Sequence, residues 1–260
     1  WIETDDQGLE LALEATAVSV SGDRILMLTA LGLEYEQQLQ NLQTARENLL
    51  TQEDLEMQVH LRTDDIRMRE EEIAIRLIAA AGHRDEETGA HIRRIGLYAE
   101  EMTRVLGWPV NQIDDIKLAA PMHDVGKIGI SDLILHKPGP LSEDEYEVMK
   151  GHAMIGEEML SGSGIAMLDL AAEIAGGHHE KWDGTGYPRG LKGEGIPLAA
   201  RIVSMVDVYD ALIHRRVYKD ALSEEKTLEI MSGLSGSLFD PALFAVFVDI
   251  YGEIREIKDQ

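Results

Sequence analysis

A mostly α-helical chain is predicted, on three observations. From Glu34 to Ala81 there is neither proline nor glycine, charged residues are frequent, and apolar residues recur at sevens. Beyond Gly82 the sequence breaks into shorter amphipathic stretches punctuated by Gly and Pro. Strand signals are confined to residues 1–33.

In chain order, Leu13 to Val20 is rich in β-branched residues, Ser21-Gly22-Asp23 signals a turn, and Arg24 to Thr29 is a second apolar run. That pattern predicts a β-hairpin. Two strands alone are barely stable, so residues 1–33 are expected to be the C-terminal remnant of an upstream, PAS-like sensory domain. The alternative is a hairpin packed on its own helix. Residues 34–82 are expected to form one long connecting helix. Tyr35, Leu42 and Leu49 are seven apart, as are Val59, Ile66, Ile73 and Ala80, and the jump from 49 to 59 moves between the two seam positions of a heptad. Gln38, Gln52 and Glu56 weaken the seam. A homodimer paired through this helix is the expectation, a lone helix packed on the next domain the alternative. Residues 83–260 form the expected C-terminal domain, with helices near 89–106, 111–124, 142–160, 164–177, 198–213, 223–234 and 240–252. Asn111 and Ser142 are candidate N-caps, Ser142 with Glu145 fits a capping box, and Gly107 with Pro109 separates the first two helices. The glycine-rich stretch 183–195 is the one long irregular loop, and long loops in compact domains tend to be functional.

Composition narrows the chemistry. Apolar residues make up 44% of the 260, enough for a sizeable core. With no cysteine, disulfides and thiolate metal sites are excluded, and any metal must be held by nitrogen and oxygen. There is no run of 18 or more apolar residues and no signal peptide, so a cytoplasmic location is expected. The chain opens on Trp1 rather than Met, which reads as a piece of something longer, and a membrane anchor could lie in the remainder. The formal net charge of −24 is spread along the chain and repels nucleic-acid polymers and anionic membranes. A small phosphate substrate is compatible with it if bound divalent cations reverse the field locally.

The stretch His178-His179-Glu180-Lys181-Trp182-Asp183-Gly184-Thr185-Gly186-Tyr187-Pro188 carries most of the functional signal. Adjacent residues on a helix point about 100° apart, so two neighbouring imidazoles converge on one centre only where the helix has ended. His123-Asp124 lies upstream with Lys127 three residues on, His152 follows, and Asp207 comes after the loop. Glu87 and His91, four apart, share a helix face. Metal ligation by imidazole and carboxylate is the economical reading. His60, His83, His136 and His214 fall outside these motifs and are read as surface or packing residues.

His-Asp-Val-Gly-Lys-Ile-Gly-Ile from His123, joined to His-His-Glu-Lys-Trp-Asp-Gly-Thr-Gly-Tyr-Pro from His178, resembles the HD-GYP branch of the HD phosphohydrolases. The resemblance runs from about His83 to the C-terminus, through Lys137-Pro138-Gly139, the Met149…His152…Gly156 spacing, Ile196-Pro197-Leu198 and Asp207-Val208-Tyr209-Asp210-Ala211-Leu212. It implies an all-α HD-type domain. It also implies that His91, His123, Asp124 and Asp207 are the ligands shared by HD proteins generally. His152, His178 and His179 would form a second metal position with Asp124 as the bridge, and Glu87 would be the carboxylate of members that hold a third metal. Two or three divalent ions are therefore expected, iron first and manganese next. Lys127 would contact a phosphate oxygen or assist the leaving group, and Arg216 and Lys219 would hold substrate phosphates. Arg215 and Val217 depart from the usual pattern beside them, which leaves the geometry of that loop open. Tyr187 could stack on a purine or wedge the loop shut, and Asp183 could orient a ligand histidine or cap the turn. The implied activity is hydrolysis of cyclic di-GMP to linear pGpG, with GMP after a second step. Another cyclic dinucleotide such as cyclic GMP-AMP is the alternative substrate, and a non-catalytic nucleotide receptor the alternative class. The family's loop around Gly184–Pro188 is also thought to contact diguanylate cyclase domains.

Overall fold

The computed structural model describes residues 2–4, 10–20, 23–31, 33–82, 89–214 and 222–258. The chain divides into two compact units, Trp1–Met68 and Arg69–Gln260.

In the first unit, β1 (Ile2–Thr4), β2 (Glu10–Val20) and β3 (Asp23–Ala30) form an antiparallel sheet in that order. The expected hairpin is present, with Val20 opposite Asp23 and Leu13 opposite Ala30. Ile25, Leu26, Met27 and Leu28 of β3 are all exposed, so apolar side chains meet solvent on both faces of that strand. The long helix α1 (Leu33–Gly82) runs without a break, as the absence of Pro and Gly predicts. Side-chain pairs one turn apart support its surface, among them Gln52 with Glu56 at 2.9 Å and Gln58 with Asp54 at 2.8 Å. Leu42, Leu49, Val59, Ile66 and Ile73 are all exposed.

The second unit is all-helical among its described residues. It begins inside α1, whose Ala74 and Ile78 are buried in its core. α2 (Gly89–Val105), α3 (Val110–Ala119), α7 (Ala166–Gly177) and α8 (Leu198–Ile213) pack around Tyr98, Met102, Ile116, Ile174, Ile202 and Val206. Two close approaches demand glycine. A Cβ on Gly96 would sit 2.5 Å from the Lys117 carbonyl oxygen, bringing α2 against α3, and one on Gly177 would sit 2.9 Å from Ala200 Cβ, bringing α7 against α8. The short α4 (Asp132–Leu135) was not expected. It is capped by Ser131, whose hydroxyl accepts from the Leu133 N–H. α9 (Glu224–Leu234), α10 (Pro241–Asp249) and α11 (Tyr251–Ile257) complete the unit.

Three expected helices end early or split. The one placed at 111–124 stops at Ala119 as α3, because Pro121 has no N–H to continue the ladder, and a tight 3-10 turn over Ala120–Met122 follows. Pro109, not Asn111, occupies its N-cap, without a side-chain bond. The helix placed at 142–160 divides at Gly151 into α5 (Glu143–Lys150) and α6 (His152–Leu160). The one placed at 240–252 divides at Ile250. The Ser142–Glu145 capping box is present in both directions.

Candidate metal centre

The breaks after Ala119 and at Gly151, and the end of α7, deliver side chains to one place. Where α3 gives way to its 3-10 turn, His123 and Asp124 follow at once, and Lys127 lies in a second 3-10 turn over Val125–Gly129. His152 opens α6, His178 and His179 leave the end of α7, His91 lies on the first turn of α2 and Asp207 on α8. The turn bearing Lys127 lies so close to α6 that a Cβ on Gly126 would meet the His152 carbonyl oxygen at 1.9 Å. That contact explains the glycine in His-Asp-Val-Gly-Lys.

Among the described residues two groups of donor atoms form, each within 4.8 Å: His91, His123 and Asp207, and Asp124, His152, His178 and His179. Asp124 reaches both. Its Oδ2 lies 3.3 Å from His123 Nε2 and 2.7 Å from Lys127 Nζ, and its Oδ1 lies 3.2 Å from His152 Nε2 and 3.7 Å from His178 Nε2. Four of the imidazoles are oriented from behind. The Nδ1–H groups of His123, His152 and His178 donate to the carbonyl oxygens of Ala120 at 3.0 Å, Met149 at 2.7 Å and Ala175 at 3.0 Å. His91 Nδ1 donates to Asp210 Oδ2 at 2.7 Å. Carbonyls and carboxylates only accept, so the proton must sit on Nδ1, and each Nε2 turns a lone pair to the interior. For His152 and His178 that Nε2 is buried without a hydrogen bond, despite the nearby Asp124 oxygen. Buried nitrogen lone pairs beside a shared carboxylate, with no thiolate among them, fit divalent cations that accept nitrogen and oxygen.

The electrostatics agree with that donor set. Burial raises the Asp124 carboxyl, but His123 and Lys127 outweigh it and hold the group well below the usual carboxylate range. Burial, followed by the neighbouring His178 and His152, pushes His179 down to about 2, so its imidazole is neutral at physiological pH. Burial lowers His178 in the same way. At Asp210 burial pushes upward, yet the hydrogen bonds from His91 and Arg94 hold the carboxyl at about 2. Arg94 contributes two of these, Nε to Oδ1 at 2.7 Å and Nη2 to Oδ2 at 2.9 Å. Sequence reasoning assigned no role to Asp210 or Arg94, although Asp210 stands in the motif with Asp207.

The glycine-rich loop is pinned rather than loose. Glu180 is buried, and its carboxylate accepts the backbone N–H groups of Arg189 at 2.7 Å and Leu191 at 2.9 Å. A Cβ on Gly186 would collide with Lys181 N at 2.3 Å. Asp183 caps the turn, accepting from Thr185 N at 2.8 Å and Thr185 Oγ1 at 2.7 Å. Tyr187 packs its ring on His179, 4.7 Å between centroids and 28° from parallel. His60 and His136 are exposed beside Asp64 and Asp132, and His214 bonds the Asp210 and Lys258 carbonyls. Glu87, Arg216 and Lys219 lie outside the described residues, as does His83.

Residues 73–243 match the HD domain family. The chain belongs to that family. A Vibrio cholerae relative of this HD domain chain, named probable cyclic di-GMP phosphodiesterase, is 43% identical over 225 residues, covering 81% of this chain and 51% of the relative. The 3'3'-cGAMP-specific phosphodiesterase 2 of the same organism is 41% identical over 194 residues, 75% of this chain and 37% of that one. A Thermotoga maritima cyclic di-GMP phosphodiesterase is 43% identical over 175 residues, 67% and 48%. The HD domain chain thus spans about half or less of the length of these relatives. A crystal structure of a cyclic GMP-AMP-specific phosphodiesterase from V. cholerae shares the fold, with a TM-score of 0.53 at 21% identity over 71% of this chain and 49% of that one.

Proposed function

We propose that this chain carries the catalytic domain of a metal-dependent phosphodiesterase that opens cyclic di-GMP to linear pGpG, with GMP as the product of a second hydrolysis. The observation that carries the reading is Asp124, whose two carboxylate oxygens face two separate imidazole groups. His91, His123 and Asp207 would hold one divalent ion and His152, His178 and His179 a second, with Asp124 between them and Glu87 adding a carboxylate for a third. Imidazole with carboxylate suits iron first and manganese next. Ions so held lower the pKa of water and stabilise charge on the oxygens entering and leaving phosphorus. Lys127, 2.7 Å from Asp124 Oδ2, brings a cation to meet a phosphate oxygen or the departing oxygen. Arg216 and Lys219 would grip phosphate from the adjoining segment.

The names of the relatives support cyclic di-GMP, and the 41% identity to a 3'3'-cGAMP-specific phosphodiesterase supports cyclic GMP-AMP as a second substrate. The exposed apolar positions of α1 support a homodimer through that helix, and the loop around Gly184–Pro188 is the surface offered to diguanylate cyclase domains. The deciding experiment is turnover of both cyclic dinucleotides by protein loaded with iron or manganese without oxygen, products identified. Tight nucleotide binding with no turnover under any metal would leave a receptor instead.

A further inference from the structure

A cyclic dinucleotide brings two phosphates, of which one reacts, to a chain of formal net charge −24. Lys127 is held at Asp124, and with Arg216 and Lys219 proposed to grip the reacting phosphate, the second phosphate calls for a further cation. Lys150, the last residue of α5 and two residues before His152, lies beside the second donor group. Its Nζ is 5.3 Å from the centroid of the Tyr146 ring and 5.7 Å from that of Tyr187, the ring that stacks on His179. Two aromatic faces hold an ammonium in place without neutralising it. Its carboxylate partner is Glu147 at 2.5 Å, and the two side chains are 24% and 69% exposed respectively. Glu147 is the exposed member of the pair, and an ion pair open to solvent one turn apart contributes little, so a phosphate oxygen can displace Glu147 and make the stronger charge-assisted bond. Tyr146, half exposed beside it, offers a ring face to a base.

We infer that Lys150, held between Tyr146 and Tyr187, receives the substrate's second, non-reacting phosphate and so favours a two-phosphate ring over a simple phosphodiester. The inference rests on the phosphodiesterase reading above. It is tested with metal-loaded wild type, Lys150→Gln and Lys150→Arg, each assayed on cyclic di-GMP and on bis(p-nitrophenyl) phosphate, with metal content measured for every sample. In Lys150→Gln the ratio of kcat/KM for cyclic di-GMP to that for the small diester should fall about tenfold, the loss of one charge-assisted contact. The fall should lie in KM, at wild-type metal content, and Lys150→Arg should restore most of it. An unchanged ratio, or lost metal, would overturn the inference and leave Lys150 as a packing residue before His152. Wild type that cleaves the small diester but no cyclic dinucleotide would instead overturn the substrate reading, and the inference with it.

Discussion

At Asp124 a single carboxylate faces two groups of donor atoms, and its removal should be felt by both. Asp124→Ala is expected to lose turnover and bound metal, which metal analysis of the purified variant would check. Full occupancy would remove Asp124 from the bridging position. Glu87→Ala should behave differently, because the remaining donors form two groups without it. It is expected to lose about one metal per chain while hydrolysis slows but persists, and equal metal content in variant and wild type would refute a third ion. Asp210→Ala should weaken metal binding about 10–100-fold through the freed His91 ring, read by competition with a chelator. The donor residues that the fold brings together were legible, since His123-Asp124 and His178-His179 announce themselves as adjacent pairs and the rest follow from resemblance. Asp210 was not, because its partners His91 and Arg94 lie 119 and 116 residues away in sequence and only folding reveals the contact. Lys150 escaped for a similar reason, since one of its two flanking rings, Tyr187, lies on a distant loop.

Among the elements, periodicity located the main helices of the second unit but missed where they break. The breaks at Pro121 and Gly151 are small local events, yet they place His123, Asp124 and His152. Apolar spacing continues across them, so the pattern reads as one helix where there are two. The glycines that permit close packing can be tested in the same way. Gly126→Ala forces a methyl group against the His152 carbonyl, and overpacking of this kind costs about 2–3 kcal/mol. Its thermal midpoint should fall by about 5–10 °C, with metal lost alongside. Gly233→Ala is the contrasting case, because it lies in α9 with nothing within 4 Å of its added Cβ. It should be neutral or stabilising by up to about 1 kcal/mol. Similar midpoints for the two variants would mean that the approach of Lys127's turn to α6 is not tight.

On the scale of the whole molecule, the proposed pairing of two chains through the apolar repeat of α1 can be separated from the compact unit that starts at Arg69. Removing residues 1–68 should give a monomer that keeps its metals and its turnover, measured by sedimentation and metal analysis. An unchanged dimer would place pairing in the second unit. A cut at residue 80 is a different experiment, since it takes Ala74 and Ile78 out of the core and should unfold the domain. The sequence offered no sign of this boundary, because α1 carries helical spacing straight through it.

That burial of Ala74 and Ile78 also fixes where a foreign input could be spliced. Everything from Arg69 onward must be kept, while residues ahead of it can be added or removed without touching the core. Each residue inserted there turns whatever precedes it by about 100° and shifts it about 1.5 Å along the axis. Seven residues nearly restore the starting phase, whereas two leave it on the opposite side. In a set of fusions differing only by such insertions, the dependence of output on phase would separate rotary coupling from simple tethering.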